Sequence, residues 1–252
     1  MENKKLKLDF IKRVLTDTVY NDEITENYFT NNIFPSDQIM SHIISQPVDP
    51  KRNYGTDWPE RAHTMVRLAR LDNLHNCLDY VRENNIDGDI IETGVWRGGA
   101  SIFAKVYCDM YGLDKKVFVA DSFIGLPPPE HPEDAGDHHH TIDFLRVSLE
   151  DVQSNFKLYR ALDEKVIFLK GWFSDTLSNN PQIGKLSILR MDGDMYKSTI
   201  DVFDACYDKV STGGQVIIDD WCLSMCKKAV EDFRRANNYN EELITIDNSS
   251  VY

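Results

Sequence analysis

The chain has 252 residues, 42% hydrophobic and 27% charged, enough apolar side chains to close one large α/β core and too many for a disordered chain. Its 28 basic and 41 acidic residues give a formal net charge of −13. That balance excludes nucleic acid as a main partner, because phosphate binding needs a basic face, and it suits a divalent cation.

The opening MENKKLKLDF is basic and lacks the apolar centre of a signal peptide. No apolar run approaches the roughly 18 residues of a transmembrane helix, so no membrane association is expected. Cys77, Cys108, Cys206, Cys222 and Cys226 are scattered and odd in number. Neither a disulfide scaffold nor a zinc knuckle fits them, and a reduced, cytoplasmic protein is expected.

Residues 1–85 read as an N-terminal helical extension or cap. LDFIKRVLTDTVY carries apolar residues at helical spacing, and Pro35, Pro47 and Pro50 break the pattern after it. RAHTMVRLARLDNLHNCLDYVRENN then predicts one long amphipathic helix, with Met65, Leu68, Leu71, Leu74, Leu78 and Val81 three and four residues apart. From residue 86 the period changes. DIIETG, KKVFVADSF, KVIFLKG, KLSILRMDGD and GGQVIIDDW are short apolar runs, as expected of strands buried on both faces. Helices alternate with them. GGASIFAKVYCDMYG ends at Gly112, VSLEDVQSNFKLYRAL opens at Ser148 with Asp151 in the capping-box position, and STIDVFDACYDKV and SMCKKAVEDFRRANN follow. This alternation predicts a mostly parallel sheet with helices on both faces over 86–252. ELITIDNSSVY predicts a terminal hairpin around Asn248 and Ser249 that adds an antiparallel strand. The Pro-, Asp- and His-rich loop 125–141 is long enough to act as a lid.

In such a sheet the ligand lies beyond the carboxyl ends of the strands. Each of those ends carries chemistry: Glu92-Thr93-Gly94, Asp121-Ser122-Phe123, Gly171-Trp172-Phe173, Asp192-Gly193-Asp194 and Asp219-Asp220. A dinucleotide site would place G-x-G-x-x-G after the first strand. Here Glu92 opens that loop, a charge that repels pyrophosphate and attracts an ammonium or sulfonium. Asp121 stands where an acid can accept both ribose hydroxyls. Together these features point to S-adenosylmethionine. Asp192, Asp219 and Asp220 would end neighbouring strands, and three carboxylates in one cleft repel unless a cation lies between them. Oxygen-only ligands select Mg²⁺, Ca²⁺ or Mn²⁺. His138, His139 and His140 are consecutive and cannot all face one metal, but one of them can serve as a base near neutral pH. Trp96, Trp172 and Trp221 follow strand ends, where they can pack on a flat ring or in the core.

GTDWPERAHTM, DGDIIETGVWRGGAS, VFVADSFIGLPPP, VSLEDVQSNF, VIFLKGWFSDTL, LRMDGDMYKST and VIIDDWCLSMCKKAVEDF resemble the macrocin O-methyltransferase family, in order, from about Asp57 to the C-terminus. The resemblance implies a Rossmann-like class I methyltransferase fold, S-adenosylmethionine and Mg²⁺ as cofactors, and a sugar hydroxyl of a glycosylated natural product or of a nucleotide-sugar-derived precursor as acceptor. It also implies that Asp192, Asp219 and Asp220 hold the metal. Cofactor contacts would come from Thr64, Met65, Glu92, Thr93, Gly94, Ser101, Asp121, Ser122, Phe123, Gly171, Trp172, Phe173 and Asp192. Asp192 is the expected general base, with His139 as its substitute. The N-terminal helices would help form a homo-oligomer. Two alternatives stay open: a catechol-type or other small-molecule O-methyltransferase, and a non-catalytic cofactor-binding protein.

Overall fold

A computed structural model describes residues 2–18, 36–48 and 58–252. Pro35, Pro50, the end of LDFIKRVLTDTVY and residues 55–57 of the first family motif lie outside the described residues.

Three helices precede the sheet: α1 (Glu2–Leu15), α2 (Asp37–Ser45) and α3 (Leu68–Glu83). Helix α1 buries Leu8, Ile11, Val14 and Leu15, one stripe at helical spacing. Helix α2 starts at Ser36, whose hydroxyl accepts the Ile39 amide. Helix α3 buries Leu71, Leu74, Leu78 and Val81, as the periodicity predicts. It is shorter than predicted, because Arg61–Arg67 is not helical. The His63 and Thr64 amides both donate to the Leu15 carbonyl at the end of α1. The Thr64 hydroxyl takes the Val66 amide at 3.0 Å. These bonds satisfy the backbone locally and compete with a helix. His63 therefore sits on a connecting segment.

The sheet contains β1 (Asp89–Thr93), β2 (Val117–Asp121), β3 (Val166–Lys170), β4 (Leu186–Met191) and β5 (Val210–Ile218), in the order β3-β2-β1-β4-β5 with every pairing parallel. The strand order reverses between β1 and β4, which opens a crevice at their carboxyl ends. All six residues of β4 are buried. Each buried Leu or Ile there contributes about 1.5–3 kcal/mol.

Helices α4 (Gly99–Tyr111), α5 (Leu149–Leu158), α6 (Phe173–Thr176), α7 (Tyr196–Cys206) and α8 (Ser224–Asn237) complete the fold. Gly112 ends α4 in the left-handed conformation, and the Ser148 hydroxyl accepts the Asp151 amide to open α5, both as predicted. The Asp151 carboxylate takes the Ser148 hydroxyl at 2.6 Å. One core cluster joins Leu8 and Leu15 of α1 and Leu78 of α3 to Ile90, Val117 and Val166 of the sheet. The N-terminal helices thus bury their apolar faces against the sheet layer.

The predicted antiparallel strand is reduced to isolated bridges, Val251 pairing with Ile218 of β5 and with Thr245. The turn itself forms, with the Ile246 amide on the Ser250 carbonyl and the Ser249 amide on Asp247. The Asp247 carboxylate also ties this short segment to Arg67 and Arg70.

Candidate active site

Strand register places the acids. Met191 pairs with Ile218, so Asp192 and Asp219 leave neighbouring strands side by side, and the Asp219 amide donates to the Met191 carbonyl at 2.9 Å. The Asp192 amide donates to the Thr93 carbonyl at 2.8 Å. Asp192, Asp219 and Asp220 each bring a carboxylate oxygen within 4.8 Å of the other two. The Asp194 amide donates to Asp220 at 3.0 Å. Burial pushes the Asp220 carboxyl well up, and Asp194, Asp192 and Asp219 push it further. Burial and Asp219 likewise raise Asp192, against the pull of Arg190. An oxygen-only cluster under such mutual repulsion fits a hard divalent cation.

Two arginines organise the cluster. Arg190 lies inside β4 and donates to Glu92 at 2.6 Å, to Asp192 at 2.8 Å and to Asp219. Arg70 of α3 donates to the other Asp219 oxygen and, at 2.9 Å, to Asp247 of the C-terminal hairpin. Burial works against the Arg70 charge, but Asp219 and Asp247 outweigh it and raise its pKa. Neither arginine is among the residues expected from sequence. A cation inside the apolar run LSILRMD was the available signal for Arg190, since a charge buried on both sheet faces has to be paired. Nothing in the spacing of Arg70 or Asp247 announces their roles.

Beside the cluster lies a cavity of about 250 Å³. Of the residues expected to contact the cofactor, Met65, Gly94, Asp121, Ser122, Gly171, Trp172, Phe173 and Asp192 form its wall. Asp121 accepts the Val95 and Phe123 amides, each at 2.8 Å, which aims its carboxylate from the end of β2. Burial raises its pKa, and those amides pull back. Gly94 has φ of 85°, and a side chain there would collide with the Asp192 carbonyl, so the β1 loop closes on the β4 end only with glycine.

Thr64, Glu92, Thr93, Ser101 and Phe123 are not on the cavity wall. Glu92 is buried and takes Arg190 and the Ser101 hydroxyl. Burial lifts its pKa to about 7, offset in part by Arg190 and Ser101. Thr93 is fully buried, and its hydroxyl donates to the Arg190 carbonyl. Phe123 packs against Phe168 with φ of 58°. Trp96 lines the cavity and donates to the Phe144 carbonyl at 3.1 Å, with Arg97 stacked over its ring. Trp172 also lines the cavity, whereas Trp221 lies under Lys227.

Loop 125–141 covers one side of the cavity with Gly125, Leu126, Pro127, Pro128, Glu130 and Asp134. Asp134 is fully buried and caps α7, accepting the Tyr196 amide at 2.6 Å and the Lys197 amide at 3.1 Å. His131 stacks on Tyr196 with ring centroids 4.3 Å apart. His139 holds buried Asp137 through its ring Nδ1 at 2.6 Å and its backbone amide at 2.9 Å.

The whole chain matches known methyltransferases. The family model described as Macrocin-O-methyltransferase (TylF) matches residues 4–252. Demethyldecarbamoylnovobiocin O-methyltransferase of Streptomyces niveus is 43% identical over 256 residues, covering 99% of this chain and 93% of its own length. Mycinamicin III 3''-O-methyltransferase of Micromonospora griseorubida is 39% identical over 262 residues, covering 98% of this chain and 95% of its own. The solved O-methyltransferase NovP superposes with a TM-score of 0.84 at 40% identity, covering 98% of this chain and 97% of that one. A calicheamicin methyltransferase, CalS11, shares the fold with a TM-score of 0.60 at 16% identity, covering 94% and 95%. The chain belongs to the macrocin O-methyltransferase family, whose members draw their methyl group from S-adenosylmethionine.

Proposed function

We propose that this protein is a Mg²⁺-dependent O-methyltransferase acting on a sugar hydroxyl of a glycosylated natural product. The observation that carries the reading is the carboxylate cluster Asp192, Asp219 and Asp220 opening beside a cavity that also holds Asp121. The relatives, named as O-methyltransferases of novobiocin, mycinamicin and rhamnosyl-tetracenomycin compounds, support the acceptor class.

Bound S-adenosylmethionine supplies an electrophilic methyl group on a sulfonium, and bound Mg²⁺ supplies Lewis acidity that lowers the pKa of a hydroxyl. The protein's own part is placement and proton handling. Asp121 accepts ribose hydroxyls, and Gly94 and Gly171 let the ligand approach the backbone. Met65 covers the cavity from the 63–66 segment, which α1 anchors through Leu15. Helix α1 and the 63–66 segment thereby act as a cap. The Asp192 oxygen that Arg190 leaves open, Oδ1, accepts the acceptor proton. His139 is the second candidate base, because Asp137 holds Nδ1 and fixes the ring. Loop 125–141 and the 63–66 segment exclude water, which strengthens these charge interactions. A reduced cytoplasm suits the five free cysteines.

The test is methyl transfer to a panel of deoxysugar glycosides. Activity is expected to vanish in EDTA and to return with Mg²⁺ or Mn²⁺. Asp192→Asn is expected to lower kcat by about 10²–10⁴-fold, the range for a lost general base. It should change S-adenosylhomocysteine affinity far less. Full activity in EDTA, with Asp192→Asn as active as the parent, would overturn the reading.

A further inference from the structure

The chain reaches the acidic cluster from three places far apart in sequence. Asp219 ends β5, Arg70 lies in the first turn of α3, and Asp247 sits in the turn of the C-terminal hairpin. Arg70 bridges the other two, with Nη1 on Asp219 and Nε on Asp247. Arg67 adds a longer contact, 3.4 Å to Asp247, and donates to the Ser249 hydroxyl. The hairpin grips the same strand end from the other side. The Ser250 hydroxyl donates to the Asp219 carbonyl at 2.7 Å, and Ile218 and Val251 exchange amide bonds. Asp247 is mostly buried and pairs with Arg67, Arg70 and the Ser249 amide.

We propose that Asp247 is a positioning residue of the metal site that acts through Arg70, so that cation binding and docking of the C-terminal hairpin form one coupled equilibrium. The inference rests on the reading that Asp192, Asp219 and Asp220 hold a divalent cation. Two effects give it a definite sign. With Asp247 in place, the Arg70 charge is divided between two carboxylates and its Nε edge is turned toward the hairpin. Without that charge, Arg70 leans wholly on Asp219 and competes with the cation for it. The freed Arg70 charge, no longer shared with Asp247, also opposes a cation beside Asp219 more strongly. Both effects weaken binding. Residues that orient metal ligands commonly change affinity by about 10–100-fold. Coupling is reciprocal, so the cation must steady the hairpin by the same factor with which the hairpin favours the cation.

Mn²⁺ binding to the full chain, followed by calorimetry and electron paramagnetic resonance, tests this without turnover. Asp247→Asn is expected to weaken Mn²⁺ by about tenfold or more while S-adenosylhomocysteine affinity stays unchanged. Asp247→Glu is expected to restore most of the loss. In an Arg70→Gln background the same Asp247→Asn change is expected to have less than about twofold effect, because its route to the metal is gone. Hydrogen exchange on the unaltered protein needs no variant. Mn²⁺ is expected to slow exchange of the hairpin amides Ile246, Val251 and Tyr252. If Asp247→Asn binds Mn²⁺ like the parent, or the hairpin amides ignore Mn²⁺, this inference fails and the metal reading stands. If the parent binds no divalent cation, the metal reading itself fails.

Discussion

His63 is a side chain whose environment sets a measurable pH dependence. Its Nδ1 meets the Tyr159 hydroxyl at 2.7 Å, and its ring packs edge-on to the same residue. Burial, and then the Arg97 charge, lower its pKa to about 4. The folded state therefore resists a proton that the unfolded chain accepts near pH 6.5. Stability from this group is complete above pH 6.5 and is lost as pH falls toward 4. Between pH 7.5 and 5 the loss from His63 alone is about 2 kcal/mol, at 1.36 kcal/mol per pH unit. Urea unfolding at those two pH values should show it, and His63→Gln should remove that share of the difference. An unchanged pH dependence in the variant would mean that His63 is protonated in the folded state as easily as in water. Arg190 carries a different burden. Its single charge is shared among the carboxylates of Glu92, Asp192 and Asp219 on three neighbouring strands, which partly offsets their repulsion.

At the scale of elements, the site is assembled where α4, the 63–66 segment and α7 meet the strand ends. Gly99 opens α4, and a side chain there would strike the His63 carbonyl and come within 2.7 Å of Thr64 Cβ. Neither neighbour can retreat easily, because the His63 and Thr64 amides are held by Leu15 and the Arg97 guanidinium holds the carbonyls of Glu60 and Ala62. Gly99→Ala is therefore expected to cost about 1–3 kcal/mol in stability, the range for overpacking. It should also weaken S-adenosylhomocysteine by displacing Met65. Calorimetry and chemical denaturation check the two effects separately, and full cofactor affinity in the variant would detach the 63–66 segment from the site. Loop 125–141 reaches the site as a docked element whose Asp134 caps α7 from 62 residues away. Its length and composition marked it as a binding loop, but the cap could not be read locally. Helix caps are usually supplied by the residue just before the helix, and Met195 has no oxygen on its side chain.

On the scale of the whole molecule, α3 before the sheet and the hairpin after it are both tied to the acidic cluster at the strand ends, through Arg70 and through Ser250. No helix among the described residues is long and apolar enough to cross a membrane. A ligand that binds only the folded state stabilises it by RT ln(1 + [L]/Kd), about 2.7 kcal/mol at a hundred times Kd. For a chain of this size that is roughly 5–11 °C in Tm. S-adenosylhomocysteine is expected to give such a shift, and NAD none, since the β1 loop begins with Glu92 in place of a phosphate cradle. A saturable rise in Tm with NAD alone would contradict the cofactor assignment.

The parallel α/β sheet, its five strands, the caps at Ser148 and Gly112 and the acids at the strand ends were all determined by the sequence alone. Each depends on local chemistry: apolar runs, left-handed turn residues and the rule that ligands lie at carboxyl ends. The placement of Asp192 beside Asp219 was also legible, because consecutive strands commonly pair. The tertiary structure decided the rest. It delayed the start of α3 to Leu68, because the backbone of Arg61–Arg67 found partners in α1 and in its own threonine. It reduced the last strand to single bridges. It also chose Arg190, Arg70 and Asp247 as the charges that hold the acids. Sequence spacing carries no information about which guanidinium meets which carboxylate. That choice follows from strand order and helix docking, which bring residues 70, 190, 219 and 247 into one buried network, where an unpaired charge is too costly to keep.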